Sequence, residues 1–286
     1  DLHTAYRRQR QMCIRDRYMT AFHSKEAMQV TNVTLNVKDL NKMNHFYSEV
    51  LGFSIKKKTD TQTIFNVGEH GHTLTLHLLN HGRHPEFREA GLFHIAYLLP
   101  SRQDLANFLY HMSRLNQPVG GGDHLVSEAL YFNDPEGNGI EVYQDRPSSG
   151  WEWENGFIKM DTLEVDAQDL ISHRTEKGWQ GFPSDGKLGH LHLKTHNLME
   201  ARQFYIDQLG FEHISNLPQS LFISTQHYHH HIAVNTWQSN QVNPDNKNTY
   251  GLTHIDIYQP HAKETNLTSP EGFSVTVHGD VSVVPD

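Results

Sequence analysis

The stretch 122–143, GDHLVSEALYFNDPEGNGIEVY, contains a turn between two segments that alternate like β-strands. Within 134–138 the proline presets φ, and the glycine and asparagine tolerate positive φ. Two strands therefore meet at this turn, and the sequence predicts a β-hairpin.

The hairpin gathers three titratable side chains. Glu141 alternates with Ile140 and Val142 on the outgoing strand, so it points away from the face that those two share. Tyr131 lies on the incoming strand and His124 just before it. Taken alone, this pattern is typical of a surface hairpin with an exposed glutamate. Whether the hairpin carries a functional site depends on the rest of the chain.

Composition limits the function. The 286 residues suffice for two domains with ordinary cores. No apolar run approaches membrane-spanning length and the N-terminus lacks a signal-peptide core, so a cytoplasmic location is expected. A net charge of −9 argues against nucleic acid or an anionic membrane as a partner. With 23 histidines and one cysteine, the chain would hold a metal with nitrogen and oxygen ligands.

The first eighteen residues differ from the rest. They contain five arginines, two aspartates and Cys13 without apolar periodicity, and Met19 follows directly. We interpret residues 1–27 as a leader that is disordered or non-native, with the natural start near Met19. A basic targeting arm is the alternative.

The chain repeats itself. The segment 30–53, VTNVTLNVKDLNKMNHFYSEVLGF, matches 188–211, LGHLHLKTHNLMEARQFYIDQLGF, and both end in FYxxxLGF. Each copy predicts an alternating strand and a short amphipathic helix that a glycine stops. A second match joins 91–100 with 251–260. These repeats predict the fold class α+β, with four βαβββ modules.

The modules divide the chain into two predicted domains. Modules one and two make residues 28–146 and modules three and four make residues 186–286; the linker 147–185 carries a helix over about 166–177. The fourth module is predicted to be incomplete, with a stunted helix and without the last strand that would be equivalent to that of Glu141. Truncation of a longer parent is the expected cause, since an open sheet edge would otherwise remain.

The four modules, the FYxxxLGF helix ends and the DPEGNGIEVY hairpin resemble the vicinal oxygen chelate superfamily. This superfamily holds glyoxalases, antibiotic-resistance binding proteins and extradiol ring-cleaving dioxygenases. The resemblance runs from about residue 28 to the end. It is greatest to the two-domain, catechol 2,3-dioxygenase-like members of bacteria such as bacilli, which share the GDHxVSEALY, DPxGNGIExY, GHxHL and YHHH segments.

The resemblance implies a metal site built from the first and last strands of paired modules. The first-strand positions hold Asn32, His94, His190 and His254, and the last strand of module two holds Glu141. Ring-cleaving members bind Fe(II) with two histidines and one glutamate. His94, Glu141 and His190 are therefore the expected ligands if modules two and three share a site, with Mn(II) allowed in place of Fe(II).

A site within the second half is the alternative. Many two-domain extradiol enzymes take all ligands from that half, which would mean His190, His254 and a glutamate in a last strand that the chain lacks. A site confined to the first half would be one ligand short, because Asn32 cannot replace a histidine. We favour modules two and three, because only there is the full ligand set present.

The resemblance also implies three catalytic side chains. A histidine on the last strand of module three acts as acid and base in the extradiol enzymes, and the pattern His, any residue, aliphatic, Ala selects His230 in YHHHIAVN. A tyrosine ten residues before the glutamate selects Tyr131, and a preceding histidine selects His124 after a short gap. Both of these would hydrogen-bond the substrate oxygens.

Each of these residues also has an ordinary structural explanation. His94 lies in the apolar strand LFHIAYLL, where a buried core histidine is usual. His190 and His192 alternate on one strand, so one of them can be packing. The HYHHH run at 227–231 is also typical of a solvated strand or an incidental metal tract. What favours a site is that six residues from two modules match the family pattern together.

The predicted function is an Fe(II)-dependent extradiol dioxygenase, with a small aromatic diol and O2 as partners and a homo-oligomer allowed. A glyoxalase-like isomerase or lyase is one alternative, but it normally uses two carboxylates, and the last strand of module one offers His77 and no glutamate. A non-catalytic module that sequesters a small molecule is the other. Such a protein has no need of Glu141 together with three histidines.

Overall fold

Modules one and two follow the predicted order of elements. The structure, a computed structural model, describes residues 22–280. Module one contains β1 (Gln29–Val37), α1 (Leu40–His45) with a π-helical turn (Phe46–Val50), β2 (Ser54–Lys58), β3 (Gln62–Val67) and β4 (His72–Leu78). Module two contains β5 (Gly91–Leu98), α2 (Arg102–Arg114), β6 (Gly120–Asp123), β7 (Ser127–Asn133) and β8 (Gly139–Asp145).

The second half of the chain begins with the linker and ends with a shorter module. The linker contains a 3-10 turn (Ser148–Gly150), β9 (Trp153–Glu154), β10 (Phe157–Ile158) and α3 (Ala167–Ser172). Module three contains β11 (Lys187–Lys194), α4 (Leu198–Arg202) with a π-helical turn (Gln203–Gln208), β12 (Glu212–Ser215), β13 (Ser220–Ser224) and β14 (Ile232–Asn235). A 3-10 turn (Asn246–Asn248) precedes module four, which contains β15 (Gly251–Tyr258), β16 (Thr265–Thr268) and β17 (Ser274–His278). None of the helices in the described part of the chain has the length and apolar character needed to cross a membrane.

The first helices of modules one and three are built alike. The side chain of Asp39 caps α1 by accepting from a backbone N–H in the first turn, and Asn197 caps α4 in the same way. Both helices continue into a π-helical turn that ends near a glycine in the left-handed region, Gly52 with φ 75° and Gly210 with φ 90°. The predicted strand and glycine-terminated helix are therefore confirmed in both copies.

The strands form two large sheets that pair the modules across the chain. The eight-stranded sheet has the order β12-β13-β14-β11-β5-β8-β7-β6, and the seven-stranded sheet has the order β16-β17-β15-β1-β4-β3-β2. In the first sheet β5 runs antiparallel to β11, and in the second β1 runs antiparallel to β15. The boundaries of the two domains stay a prediction. Modules two and three do share a sheet, as the favoured ligand set requires.

The main hydrophobic core lies against one face of the eight-stranded sheet and also includes side chains from the other sheet and from the helices. Ile95 and Tyr97 of β5 and Ile140 and Val142 of β8 are fully buried in it. The residues between them, including Glu141, therefore project from the opposite face. The predicted orientation of Glu141 is confirmed, and so is the hairpin that carries it.

The fourth module lacks different elements from those predicted. Its last strand is present, because β17 runs parallel to β15 as β8 runs parallel to β5. Within residues 251–280 a helix and one middle strand are missing, because the short connection 259–264 leaves no room for them. The prediction missed the turn 269–272, which leads into β17 as 134–138 leads into β8, since no asparagine marks it.

The predicted linker is more ordered than expected. It contains the small hairpin formed by β9 and β10, which the sequence did not predict. Its helix was predicted over 166–177 but ends at Ser172, because the backbone N–H of Thr175 bonds to a different element instead of continuing the helix. The backbone N–H of Thr175 donates to Oδ1 of Asn107 on α2 at 2.8 Å, which ties the linker to module two.

The last part of the predicted leader is packed. The ring of Phe22 stacks on Trp151 with centroids 5.4 Å apart, and Nε2 of His23 lies 2.7 Å from the carbonyl oxygen of Gly189. Residues 22–27 are therefore part of the folded protein. The rest of the leader, with Cys13 and Met19, lies outside the described residues.

The carboxylate of Asp134 holds the central hairpin together, and we expect its loss to be costly. Its oxygens accept from the backbone N–H groups of Glu136 and Asn138 at 2.9 Å, from the Asn138 amide at 2.8 Å and from the Tyr47 hydroxyl at 3.0 Å. Asp134→Ala should lower the free energy of unfolding by about 3 kcal/mol, and Tyr47→Phe by about 1 kcal/mol. Urea unfolding measures both, and equal losses would contradict this assignment.

Glu271 is a buried carboxyl group, and we expect Glu271→Gln to stabilise the protein increasingly as pH rises. It is fully buried and accepts from the Tyr205 hydroxyl at 2.9 Å; burial raises its pKa, while Thr195 and Tyr205 partly offset this. Because the pKa of this carboxyl group is higher in the folded than in the unfolded protein, its contribution to the free energy of unfolding is complete below the unfolded-state pKa. The contribution is lost as the pH rises through the folded-state pKa. Urea unfolding of both proteins at pH 5 and pH 8 measures this, and a constant difference would argue against it.

Candidate metal centre

Three neighbouring strands place His190, Ala96 and Glu141 in one row. Ala96 of β5 is the cross-strand partner of His190 on β11 and of Glu141 on β8. Adjacent strands lie about 4.8 Å apart, so the two outer side chains meet over the small methyl group of Ala96. His94 lies two residues before Ala96 on β5 and therefore points to the same face.

His94, Glu141 and His190 form a compact and buried cluster. Oε2 of Glu141 lies 2.9 Å from Nε2 of His94 and 3.3 Å from Nε2 of His190. One ligand atom from each residue falls within 4.8 Å of the other two. Among residues 22–280 this is the one group of three or more histidine, cysteine or acidic side chains that close. The residues are only 6%, 2% and 2% exposed, so water does not solvate them freely.

The cluster suits a metal ion better than it suits a hydrogen-bond network. Nε2 of His94 is buried and makes no hydrogen bond that meets the usual geometric criteria among the described residues, although Oε2 of Glu141 lies 2.9 Å away. A buried nitrogen without a partner costs free energy unless something else uses its lone pair. Two imidazole nitrogens and one carboxylate are also the donor set of many non-haem Fe(II) sites.

The protonation states also suit a metal. Burial lowers the pKa of His190 to about 4, although the charge of Glu141 opposes this shift. Burial alone would raise the pKa of Glu141, but His190 and His94 together hold it well below its usual range. At neutral pH the cluster therefore offers an ionised carboxylate and an imidazole lone pair, which are the forms that bind metals.

Tyr131 and His124 lie beside this cluster and bond to each other. Tyr131 of β7 is the cross-strand partner of Glu141, so both project from the same face. Nδ1 of His124 donates to the carbonyl oxygen of Asp161 at 2.9 Å, which leaves Nε2 to accept from the Tyr131 hydroxyl at 2.6 Å. Burial, and then the charge of Glu141, raises the pKa of Tyr131 well above its usual value, so the phenol keeps its proton.

His230 reaches the cluster from the connection between β13 and β14 and not, as predicted, from the strand itself. Its ring lies against that of His190, with centroids 3.9 Å apart, and packs edge-on to Phe222. Nδ1 of His230 lies 2.8 Å from Nδ1 of His229. Burial, followed by the proximity of His190, lowers the pKa of His230 well below its usual value, so the ring is neutral at physiological pH.

A cavity of about 250 Å³ lies over the cluster, and all six predicted site residues line it. The structure thus brings together His94, His124, Tyr131, Glu141, His190 and His230. Binding sites for drug-sized molecules are usually larger than this, so the volume fits a small ligand such as a single ring. The further lining is largely apolar and includes Phe93, Phe222 and Trp237.

Sequence reasoning missed several of these lining residues. Met160 and Thr162 come from the predicted linker, and Trp237 follows β14; no periodicity or motif marks any of the three. His192 also lines the cavity, and its alternation with His190 did point to a shared face. Nε2 of His192 accepts from the Asn235 amide at 2.8 Å, so its lone pair is used within the protein.

The seven-stranded sheet holds a different set of residues at the equivalent positions. Asn32, Asp256 and Thr276 form the row that corresponds to the row centred on Ala96. His254 corresponds to His94, but Nε2 of His254 lies 2.8 Å from the carboxylate of Asp256, which is on the same strand. The alternative ligand set with His254 needed a glutamate from the last strand of module four, which was predicted to be absent. That strand is present, and it offers a threonine hydroxyl where a glutamate would be needed.

Known proteins resemble this chain in sequence. A family model described as the glyoxalase/bleomycin resistance protein/dioxygenase superfamily matches residues 29–142. The chain is 37% identical over 257 residues to the catechol-2,3-dioxygenase of Bacillus subtilis (strain 168), which covers 88% of this chain and 89% of that protein. It is 28% identical over 119 residues to biphenyl-2,3-diol 1,2-dioxygenase 3 of Rhodococcus globerulus, which covers 41% of this chain and 63% of that protein.

Solved structures share the fold at low sequence identity. The cppA protein of Streptococcus pneumoniae TIGR4 matches with a TM-score of 0.57 and 11% identity, over 88% of this chain and 99% of that chain. Glyoxalase I of Zea mays matches with a TM-score of 0.50 and 11% identity, over 88% of this chain and 92% of that chain. At such identities the likeness concerns the fold alone.

Proposed function

Because this chain belongs to the glyoxalase/bleomycin resistance protein/dioxygenase superfamily, we propose that it is an Fe(II)-dependent extradiol dioxygenase that opens a small catechol-type ring with O2. The observation that carries this proposal is the buried cluster of His94, Glu141 and His190 beneath a small, largely apolar cavity. The names of the two related dioxygenases support the same class of reaction.

His94, Glu141 and His190 would hold the metal. Fe(II) held by these residues would supply the Lewis-acid and redox chemistry that the reaction of a diol with O2 needs. Glu141 is the one carboxylate among the three ligands, so a divalent ion would keep a net positive charge. This charge would favour the anionic form of the diol.

Tyr131 and His124 would receive the first proton of the diol. The hydroxyl hydrogen of Tyr131 is donated to Nε2 of His124 at 2.6 Å, so the Tyr131 oxygen remains as an acceptor for a substrate hydroxyl. Nε2 of His124 lies directly behind it as the next acceptor. The contact of Nδ1 with the Asp161 carbonyl holds the imidazole of His124 in the tautomer that this role needs.

His230 would receive and return a second proton. Its Nδ1 is engaged by His229, so Nε2 is the nitrogen left for the substrate. The ring is neutral and buried, which lets it accept a proton from the diol and give one back when the ring opens. Phe93, Phe222 and Trp237 would exclude water and limit the substrate to a narrow planar ring.

The test is anaerobic Fe(II) reconstitution of the purified chain followed by addition of catechol in air. The expected result is stoichiometric iron, O2 uptake and a yellow ring-fission product. Iron binding without O2 uptake, together with conversion of a hemithioacetal, would instead indicate a glyoxalase-like isomerase. Absence of metal binding combined with tight binding of an aromatic compound would indicate a sequestering protein.

Replacement of His230 should slow the reaction while leaving the metal in place. We expect His230→Gln to lower kcat by about 10²- to 10⁴-fold, with iron content unchanged, because glutamine cannot transfer the proton. His227→Asn is the matched control, since His227 is exposed in the same histidine run and has a positive φ of 57°, which asparagine tolerates. Steady-state kinetics and iron analysis measure both, and equal activity of the two variants would refute the role.

A further inference from the structure

A chain of hydrogen bonds leads from the cavity, along the face of the eight-stranded sheet that carries Glu141, to the end of β8. Asp145, the last residue of β8, accepts at Oδ1 from Nε2 of His229 at 2.8 Å. Nδ1 of His229 lies 2.8 Å from Nδ1 of His230, which lines the cavity. His229 is fully buried, and the side chain of Asp145 is 10% exposed. Neither residue belongs to the six predicted from the sequence.

The direction of these hydrogen bonds follows from the carboxylate. Oδ2 of Asp145 accepts from the Tyr228 hydroxyl at 2.9 Å, so both oxygens of Asp145 act as acceptors. An ionised carboxylate has no hydrogen to donate, so Nε2 of His229 must carry the hydrogen of that contact. A neutral imidazole has one N–H, and Nδ1 of His229 is then left with a lone pair.

This lone pair fixes the tautomer of His230. Two Nδ1 atoms that are 2.8 Å apart need one hydrogen between them, and His229 has none to offer at that nitrogen. Nδ1 of His230 therefore donates, and Nε2 of His230 is the nitrogen that carries a lone pair toward the cavity. We propose that Asp145 and His229 are positioning residues that hold His230 in the tautomer able to accept a proton from the substrate.

The residues around Asp145 and His229 stabilise these hydrogen bonds. The ring of Trp151 packs on His229 with centroids 5.4 Å apart and closes it off from solvent. Gln226 and His227, just before these histidines, have φ of 58° and 57°, a left-handed conformation that is unfavourable for residues other than glycine. Such a turn persists because the contacts that follow it stabilise it. This inference rests on the proposed role of His230, but the tautomer itself is measurable without any reaction.

The first test reads the tautomer by proton–nitrogen correlation spectra of the imidazole rings in the full chain, labelled with ¹⁵N-histidine and measured without added metal. We expect His230 to carry its hydrogen on Nδ1 in the wild type. In Asp145→Asn the amide can donate to Nε2 of His229, which should move the hydrogen of His230 to Nε2. Tyr228→Phe is the control, because it keeps the carboxylate and should leave the tautomer unchanged. A wild-type hydrogen on Nε2, or an unchanged tautomer in Asp145→Asn, would overturn the inference.

The second test uses position 229 in the iron-loaded protein. The oxygen of an asparagine side chain can take the place of Nδ1 and accept from His230, whereas leucine cannot. We expect His229→Asn to keep kcat at least about 10-fold above His229→Leu, with equal KM and iron content. Equal kcat in the two variants would also overturn the inference. A wild type that shows the expected tautomers but cleaves no catechol would leave the inference standing and remove the proposed function instead.

Discussion

We expect the Glu141→Ala protein to bind no iron and to lose ring cleavage, by roughly 10³-fold or more, while remaining folded. Glu141 supplies the one carboxylate of the cluster, and Oε2 lies within 3.3 Å of both histidine nitrogens. A Lewis acid typically contributes several kcal/mol to transition-state stabilisation, and about 4 kcal/mol corresponds to this factor. Iron analysis and O2 uptake measure the two effects, and circular dichroism confirms folding.

Two further variants make the Glu141 experiment decisive. Glu141→Gln keeps the shape of the side chain and removes its charge, so we expect it to bind iron far more weakly than the wild type. His254→Ala removes the histidine at the equivalent position of the seven-stranded sheet, where Asp256 is its partner, and should keep iron and activity near wild type. Loss of iron in His254→Ala with retention in Glu141→Ala would move the metal to the other sheet.

We expect Gly139→Ala to lower the free energy of unfolding by roughly 2–4 kcal/mol and to weaken metal binding. A Cβ atom on Gly139 would lie 2.2 Å from the carbonyl oxygen of Phe93 and 3.1 Å from Cβ of His94. A backbone carbonyl cannot turn away like the tip of a side chain, so β5 and β8 must separate locally. This separation would move His94 relative to Glu141, and urea unfolding combined with iron titration measures both effects.

The control for this variant is Gly150→Ala. Gly150 lies in the 3-10 turn after β8, and a Cβ atom there would meet no other heavy atom within 4 Å. Its substitution should change the free energy of unfolding by no more than about 0.5 kcal/mol. If Gly139→Ala were as stable as Gly150→Ala, the close approach of β8 to β5 would not constrain the metal site as described.

The elements that the sequence could predict are those with local signals. The turn 134–138 and the alternation of Glu141 with its apolar neighbours both depend on residues close together in the chain, and the structure confirms them. The repeat likewise predicts the paired helices that end at Gly52 and Gly210. Where the local signal was weak, as at the turn 269–272 before β17, the prediction failed.

The candidate site was partly accessible from the sequence, because its residues match a family pattern. What no local pattern could give is the row across three strands, since it depends on β5 pairing with both β8 and β11. The place of Ala96 in that row is visible only after folding. Asp145 and His229 were missed for the same reason, because their contact joins residues that are far apart in the chain.

The pairing of the two large sheets has a consequence for how the chain folds as it is synthesised. Gln29, at the start of β1, pairs with Tyr258, at the end of β15, so almost the whole described chain must be made before this contact can form. Pairing of distant strands is slow, because a long loop must close before the contact is gained. Until then β1 presents an open edge that another nascent chain can occupy. Swapped or aggregated species should therefore form during rapid expression, and slower synthesis at lower temperature should reduce them.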